Sequence, residues 1–172
     1  MKETLKAIIS LTLICAAVCG LLAYGNELTK DKIAQTEERT FQKSLVSAFG
    51  EGNYTVAETL YEGINQVILD DKGRVFFDVT STGYQKDSQR LLVGIDANGT
   101  VCGISFVTFS DSPTQAAKIQ ADTFVSQFIG LDEASEEFDA VSGATRSSEG
   151  VHAAVSLALN TYHQHKEELI HG

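Results

Sequence analysis

The chain has 172 residues, 43% hydrophobic and 21% charged, which leaves room for one globular domain with a modest core and excludes a long disordered protein. Its 23 acidic residues against 13 basic ones give a formal charge of −10. The phosphate neutralisation that sustains nucleic-acid binding is therefore missing, and no nucleic-acid partner is expected.

The apolar residues are unevenly spread. From Ala7 to Asn26, AIISLTLICAAVCGLLAYGN, 20 residues carry no formal charge; as a helix rising about 1.5 Å per residue they span about 30 Å, the hydrocarbon core of a bilayer. A transmembrane anchor is expected over residues 1–25. The alternative is a cleaved signal peptide, but the stretch exceeds the usual apolar region of about 7 to 15 residues and has no clear small-x-small cleavage site. Lys2 and Lys6 flank its start, so the positive-inside rule puts the N-terminus in the cytoplasm and the remainder outside the cell membrane. At the other flank Lys30 and Lys32 are offset by Glu27 and Asp31. Cys15 and Cys19, four apart on one helix face, read as small apolar side chains. Ile14 and Val18 are too large to precede a lipid-anchored cysteine. Cys102 is then the only external thiol, which excludes an intrachain disulfide there and a cysteine-rich zinc site. Without Glu3, Lys2 and Lys6 the external part keeps 22 acidic and 11 basic residues, suited neither to anionic lipid nor to nucleic acid.

Leu28 to Phe49 has helical spacing, with Ala34, Phe41, Leu45 and Phe49 along one stripe and Asp31, Lys32, Glu38, Arg39 and Lys43 around it, and reads as a stalk helix over 26–50. Gly50 and Gly52 stop it. From Tyr54 to Phe109 the pattern changes to four or five short strands, the clearest being Gln66 to Leu69, Arg74 to Thr80, Leu91 to Asp96 and Thr100 to Phe109. Asp71-Lys72-Gly73 and Asn98-Gly99 are hairpin turn signals, so an antiparallel meander is expected. After Pro113 a helix is predicted over Thr114 to Ile129, burying Ile119, Phe124, Val125 and Phe128. Leu131 to Phe138 is an acidic connector. A last helix is predicted from Ser147 to Glu168, with Val151, Val155, Ala158, Leu159 and Tyr162 on its apolar side. Central strands flanked by helices predict an α+β domain over 51–172.

Chemistry concentrates between the connector and the last helix, in Asp139-Ala140-Val141-Ser142-Gly143-Ala144-Thr145-Arg146-Ser147-Ser148. Gly143 permits a backbone conformation closed to other residues, Ala144 is too small to block a ligand, and hydroxyls at 142, 145, 147 and 148 cluster before a helix start. Two readings stay open on physics alone. One is an anion site of the kind phosphate occupies, with Arg146 adding a charge-assisted bond. The other is a plain helix start with Ser147 or Ser148 as N-cap.

The string resembles the flavinylation motif of the FMN-binding domain family, shared by the G subunit of the Rnf electron-transport complex and the C subunit of the sodium-translocating NADH:quinone oxidoreductase. The resemblance implies FMN joined to Thr145 through a phosphodiester bond. It also implies that Asp139, Ser142, Gly143 and Ala144 are recognised by a flavin transferase, which draws FMN from FAD and needs magnesium. Ser147 and Ser148 complete the implied cofactor-binding segment. The similarity extends to the N-terminal anchor, the 26–33 segment NELTKDKI, Leu92-Val93-Gly94-Ile95-Asp96 and Gly99 to Ile104. Where the family has a Glu-Thr-Pro-Gly-Leu-Gly loop against the flavin, this chain has Asp111-Ser112-Pro113-Thr114-Gln115-Ala116, so Ser112 and Thr114 are the hydroxyls implied beside the cofactor. The resemblance implies an electron-transfer subunit of a membrane-bound, ion-translocating ferredoxin:NAD oxidoreductase complex, with other membrane subunits as partners. Two alternatives are a free-standing extracytoplasmic flavin carrier and a flavin-free tethered scaffold. A tethered flavin cannot diffuse away outside the cytoplasm, and its ring carries the chemistry, so no catalytic residues and no metal are expected.

Other polar residues receive plainer readings. No Gly-x-Ser-x-Gly elbow accompanies the serines and histidines. His152 lies near the last helix start, either approaching the flavin phosphate or on the helix surface. His163, His165 and His171 read as a solvated helix end rather than a metal site. Asp70 and Asp71 read as a turn, and Asp132, Glu133, Glu136 and Glu137 as a solvated connector. Tyr84 reads as strand packing, with a place beside the flavin ring as the alternative.

Overall fold

The computed structural model describes residues 2–171, with the side chains of Lys2, Glu3, Ala7, Asp31, Ala34, Ile170 and His171 outside the description. The readings placed on the Lys2, Asp31, Ala34 and His171 side chains therefore fall outside it. The chain divides into two units, Met1–Phe41 and Gln42–Gly172. The first consists of helix α1 (Lys2–Phe49), whose last residues belong to the second unit. Leu5, Ile8, Leu11, Ile14, Val18 and Leu22 lie exposed along one half of its circumference and Ile9, Leu13 and Leu21 along the other, an apolar surface on all sides that suits lipid. The helix is long and apolar enough to cross a membrane.

In the second unit five strands form one antiparallel sheet in sequence order: β1 (Tyr54–Val56), β2 (Ile64–Asp70), β3 (Val75–Ser81), β4 (Gln89–Ile95) and β5 (Val101–Phe109). Each turn is closed by an aspartate that precedes the signal, Asp70 before Asp71-Lys72-Gly73 and Asp96 before Asn98-Gly99. Asp70 Oδ1 accepts the Lys72 and Arg74 amides at 2.9 and 2.8 Å, and Asp96 Oδ1 accepts those of Asn98 and Thr100 at 2.9 and 3.0 Å. Gly73 and Gly99 supply the positive φ that these tight turns need.

Each sheet face is covered differently. Val75, Phe77, Val79, Leu91, Val93 and Ile95 share a core with Val151, Val155, Ala158, Leu159 and Tyr162 of helix α4 (Thr145–His171). Each buried side chain of this size contributes about 2 kcal/mol of transfer free energy. On the opposite face the Phe49 ring packs on Phe76 at 4.6 Å between centroids. It lies across Gly94 and Gly103, which are cross-strand partners; a Cβ on either would come within 2.7 or 2.6 Å of that ring. The α1 end is tied down by the Arg74 guanidinium, which donates to the Phe49 carbonyl at 3.1 Å.

The α+β class and the meander agree with expectation. Two helices differ from it. The predicted 114–129 helix is three short pieces, α2 (Pro113–Ile119), α3 (Asp122–Val125) and a 3-10 turn (Ser126–Phe128). Ala121 adopts an extended backbone between them, and the chain bends there so that Ile119, Phe124 and Phe128 all reach the core. Helix α4 begins at Thr145, two residues before its predicted start, and runs to His171 with a non-helical kink at His165.

Candidate functional site

The segment before α4 is a compact turn. The Ala144 amide donates to the Val141 carbonyl and the Ser148 amide to the Ala144 carbonyl, both at 2.9 Å. Ala144 thus accepts the first helical bond, and Thr145, Arg146 and Ser147 form the opening turn, where amides lack partners within the helix and the dipole is positive. Gly143 has φ +77°, a left-handed conformation that glycine adopts without strain. Neither Ser147 nor Ser148 is the N-cap. Both are buried and committed elsewhere: Ser148 Oγ accepts the Val141 amide and donates to the Ala144 carbonyl, each at 3.0 Å, while Ser147 Oγ donates to Asp111 Oδ2 at 2.6 Å. Of the four hydroxyls in this segment, those of Ser142 and Thr145 stand on exposed residues. Arg146 and Asp139 are exposed as well. The Asp139 main chain is set by Gln127, whose side chain accepts its amide at 2.8 Å and donates to its carbonyl at 3.3 Å.

The 111–116 segment, where the chain departs from the family pattern, lies against this turn. Ser112 caps α2 in a reciprocal box with Gln115, so its hydroxyl is engaged; Thr114 is exposed in the helix's first turn. Gln115 Nε2 donates to the Gly143 carbonyl at 3.4 Å, and Lys118 Nζ to the Ser142 carbonyl at 3.0 Å. The altered loop therefore supports the turn that presents Thr145.

Beneath both lies a polar cluster that sequence reasoning missed. The buried Asp111 carboxylate accepts the Tyr84 amide at 3.2 Å, the Gln85 amide at 3.3 Å, the Gln89 side-chain amide at 3.3 Å and the Ser147 hydroxyl. Burial alone would push its pKa up, but the Ser147 and Ser88 hydroxyls, the Tyr84 amide and Gln89 together hold it below its ordinary value. Gln89 Nε2 also reaches the Ser147 carbonyl at 3.1 Å. Gly83 fits only because it lacks a Cβ, which would collide with Gln89, Asp111 and Ser88; at Gly150 a Cβ would stand 2.7 Å from the Thr82 carbonyl. A glycine inside a helix costs about 1 kcal/mol relative to alanine, so Gly150 was the available signal of a close approach.

The histidines belong elsewhere. His152 stacks on Phe138 at 4.4 Å and hydrogen-bonds the Ser135 carbonyl, so it fixes the acidic connector. His163 bonds the Asp132 carbonyl, and His165 pairs with Glu168 at 3.5 Å. Tyr84 is not packed in a strand: it lies on the 82–88 loop and is 66% exposed. Cys102 is exposed and unpaired.

A phosphate-bearing group fits this arrangement, because an exposed hydroxyl stands at the positive end of helix α4, and the Ser147 and Ser148 hydroxyls beside it are already bonded. Comparison with known proteins agrees in kind. Residues 83–160 match the model of the FMN-binding domain family. The chain is 22% identical to the G subunit of the ion-translocating oxidoreductase complex of Vibrio vulnificus (strain YJ016) over 193 positions, covering 94% of this chain and 90% of that one. It is 24% identical to the same-named protein of Shewanella piezotolerans (strain WP3 / JCM 13877) over 200 positions, covering 98% and 94%. The chain thus carries the FMN-binding domain pattern over residues 83–160 and resembles, over nearly its whole length, the G subunit of ion-translocating oxidoreductase complexes.

Proposed function

We propose that this protein is a single-pass, membrane-anchored electron-transfer subunit of an Rnf-type complex, with its domain outside the cytoplasm and FMN bound covalently to Thr145. The observation that carries the reading is the sorting of hydroxyls at the α4 start: Ser147 and Ser148 are buried and bonded, whereas Thr145 opens the helix on an exposed residue. A modifying flavin transferase reaches an exposed residue, and the opening amides stabilise the phosphate it leaves there. The attachment exchanges the pyrophosphate bond of FAD for a bond from Thr145 Oγ to the FMN phosphorus, releasing AMP and the hydroxyl proton. Once bound, the flavin ring supplies the electron transfer. The chain supplies position: Gln115 and Lys118 hold the turn, and Asp111 holds the first turn of α4.

The test is co-expression of the full chain with a flavin transferase, followed by intact mass and in-gel flavin fluorescence after denaturation. One FMN phosphoryl adduct, absent from Thr145→Ala, is expected. An unmodified wild-type chain overturns the covalent attachment. In purification from the membranes in which the protein naturally occurs, other membrane subunits retained with it would place it in a complex; a stable solitary flavoprotein would instead make it a free-standing carrier.

A further inference from the structure

Among the described residues of the Gln42–Gly172 unit, Tyr84 is the only exposed tyrosine or phenylalanine; its companions among the exposed large apolar residues there are aliphatic, Val46, Val56, Leu60 and Ile129. A single exposed apolar residue is ordinary on a protein surface, and most such residues have a free main chain around them. Tyr84 does not. Its own amide and that of Gln85 donate to the two carboxylate oxygens of Asp111, the Gly83 amide donates to Ser88 Oγ at 3.2 Å, and the Asp87 amide meets Thr82 Oγ1 at 3.4 Å. Asp87 holds a left-handed φ of 53°, uncommon for a residue with a side chain. Gly83 and Gly150 let the loop close onto the carboxylate and onto α4.

The Asp111 oxygen that holds the Tyr84 amide also holds the Ser147 hydroxyl. One buried carboxylate therefore joins the main chain of an exposed aromatic residue to the helix turn that begins with Thr145. We propose that Tyr84 is the stacking surface for the flavin ring and that Asp111 is the positioning residue that sets it relative to Thr145. This rests on the reading of Thr145 as the attachment point. An aromatic ring on a fixed main chain offers a π-face without first ordering a loop, so the contact keeps most of its stacking free energy. Tethering at Thr145 keeps the flavin near that face, so a weak stacking contact suffices to hold it.

The experiment uses the full chain co-expressed with a flavin transferase and purified in detergent. Intact mass reports FMN per chain, and flavin fluorescence is read on the same samples folded and denatured, because a stacked tyrosine quenches the flavin. Wild type is expected to brighten on denaturation. Tyr84→Ala is expected to carry the same FMN mass with folded-state fluorescence about threefold higher, the change in stacked population that one aromatic contact supports. Tyr84→Trp restores the quenching. A loaded Tyr84→Ala chain as dim as wild type overturns the stacking role and leaves Thr145 untouched. A folded Tyr84→Ala chain that takes no FMN assigns Tyr84 to transferase recognition and also overturns it, and an unmodified wild-type chain overturns both readings.

Discussion

Asp78 and Asp111 are both buried carboxylates in the sheet domain, 0% and 8% exposed, and they are stabilised in opposite ways. Asp78 on β3 faces Arg90 on β4, which grips it through Nε at 2.9 Å and Nη2 at 2.6 Å; the Asn65 and Gln66 amides add contacts at 3.3 Å. Asp111 is held by neutral groups alone, two main-chain amides, the Gln89 side-chain amide and the Ser147 and Ser88 hydroxyls. A guanidinium can swing to meet a carboxylate from one neighbouring strand. Fixed neutral donors must be brought together from the 82–88 loop, β4 and α4 at once. Asp78 therefore fastens adjacent strands, while Asp111 records the relative position of three segments around the candidate flavin site.

The largest effect is expected from breaking the ionic partner. Arg90→Ala leaves Asp78 buried with amide donors only and should lower stability by about 3 kcal/mol in urea unfolding. A loss below about 1 kcal/mol would mean that Asn65 and Gln66 suffice and that the two aspartates are held alike. Next comes the neutral shell. Gly83→Ala drives a Cβ into Gln89, Asp111 and Ser88 and should cost about 2 kcal/mol. Its signature is local: amide exchange should quicken in residues 82–88 and in the first turn of α4, with strands β2 and β3 unchanged. Exchange spread evenly over the sheet would deny the cluster its separate identity.

Asp111→Asn sharpens the contrast through pH. The native pKa of Asp111 lies below its ordinary value of 3.8, so its contribution is complete above that value and declines as the pH falls through 3.8 toward the native pKa. The asparagine chain should be about 2 kcal/mol less stable at neutral pH, because its NH2 group faces donors that a carboxylate accepts. The gap to wild type should narrow on acidification. Thermal melting of both chains between pH 7 and pH 3 measures it, and parallel curves would refute the assignment.

How much of this was legible in the sequence depends on separation along the chain. The strands, both turns and the α4 apolar face follow from short-range periodicity, and Val151, Val155, Ala158, Leu159 and Tyr162 are all buried as the spacing predicts. The break between α2 and α3 has no proline or glycine to announce it, because it follows from packing Ile119, Phe124 and Phe128 into one core. The serines place the α4 start two residues late in the sequence, because the Ser148 hydroxyl satisfies the Ala144 carbonyl from within the helix rather than capping from outside. In the sequence Asp111 looks like part of a loop, since its partners lie 22 to 36 residues away and no local pattern encodes such a bond.

The smallest expected effect isolates one of those long-range bonds. Ser147→Ala removes the hydroxyl 2.6 Å from Asp111 and leaves the amide donors in place, so the loss should be about 1 kcal/mol at neutral pH. Because Ser147 is one of the groups lowering the Asp111 pKa, its removal should bring the native pKa closer to the ordinary value, so the acid-induced loss of stability still begins near 3.8 but should be smaller and end at a higher pH than in wild type. The same change in Asp111→Asn should then cost almost nothing further, as expected of two groups sharing one interaction. Strict additivity of the two would mean that the hydroxyl acts on α4 alone. Asp111 would then hold only the Tyr84 loop, and the proposed link between that loop and Thr145 would be lost.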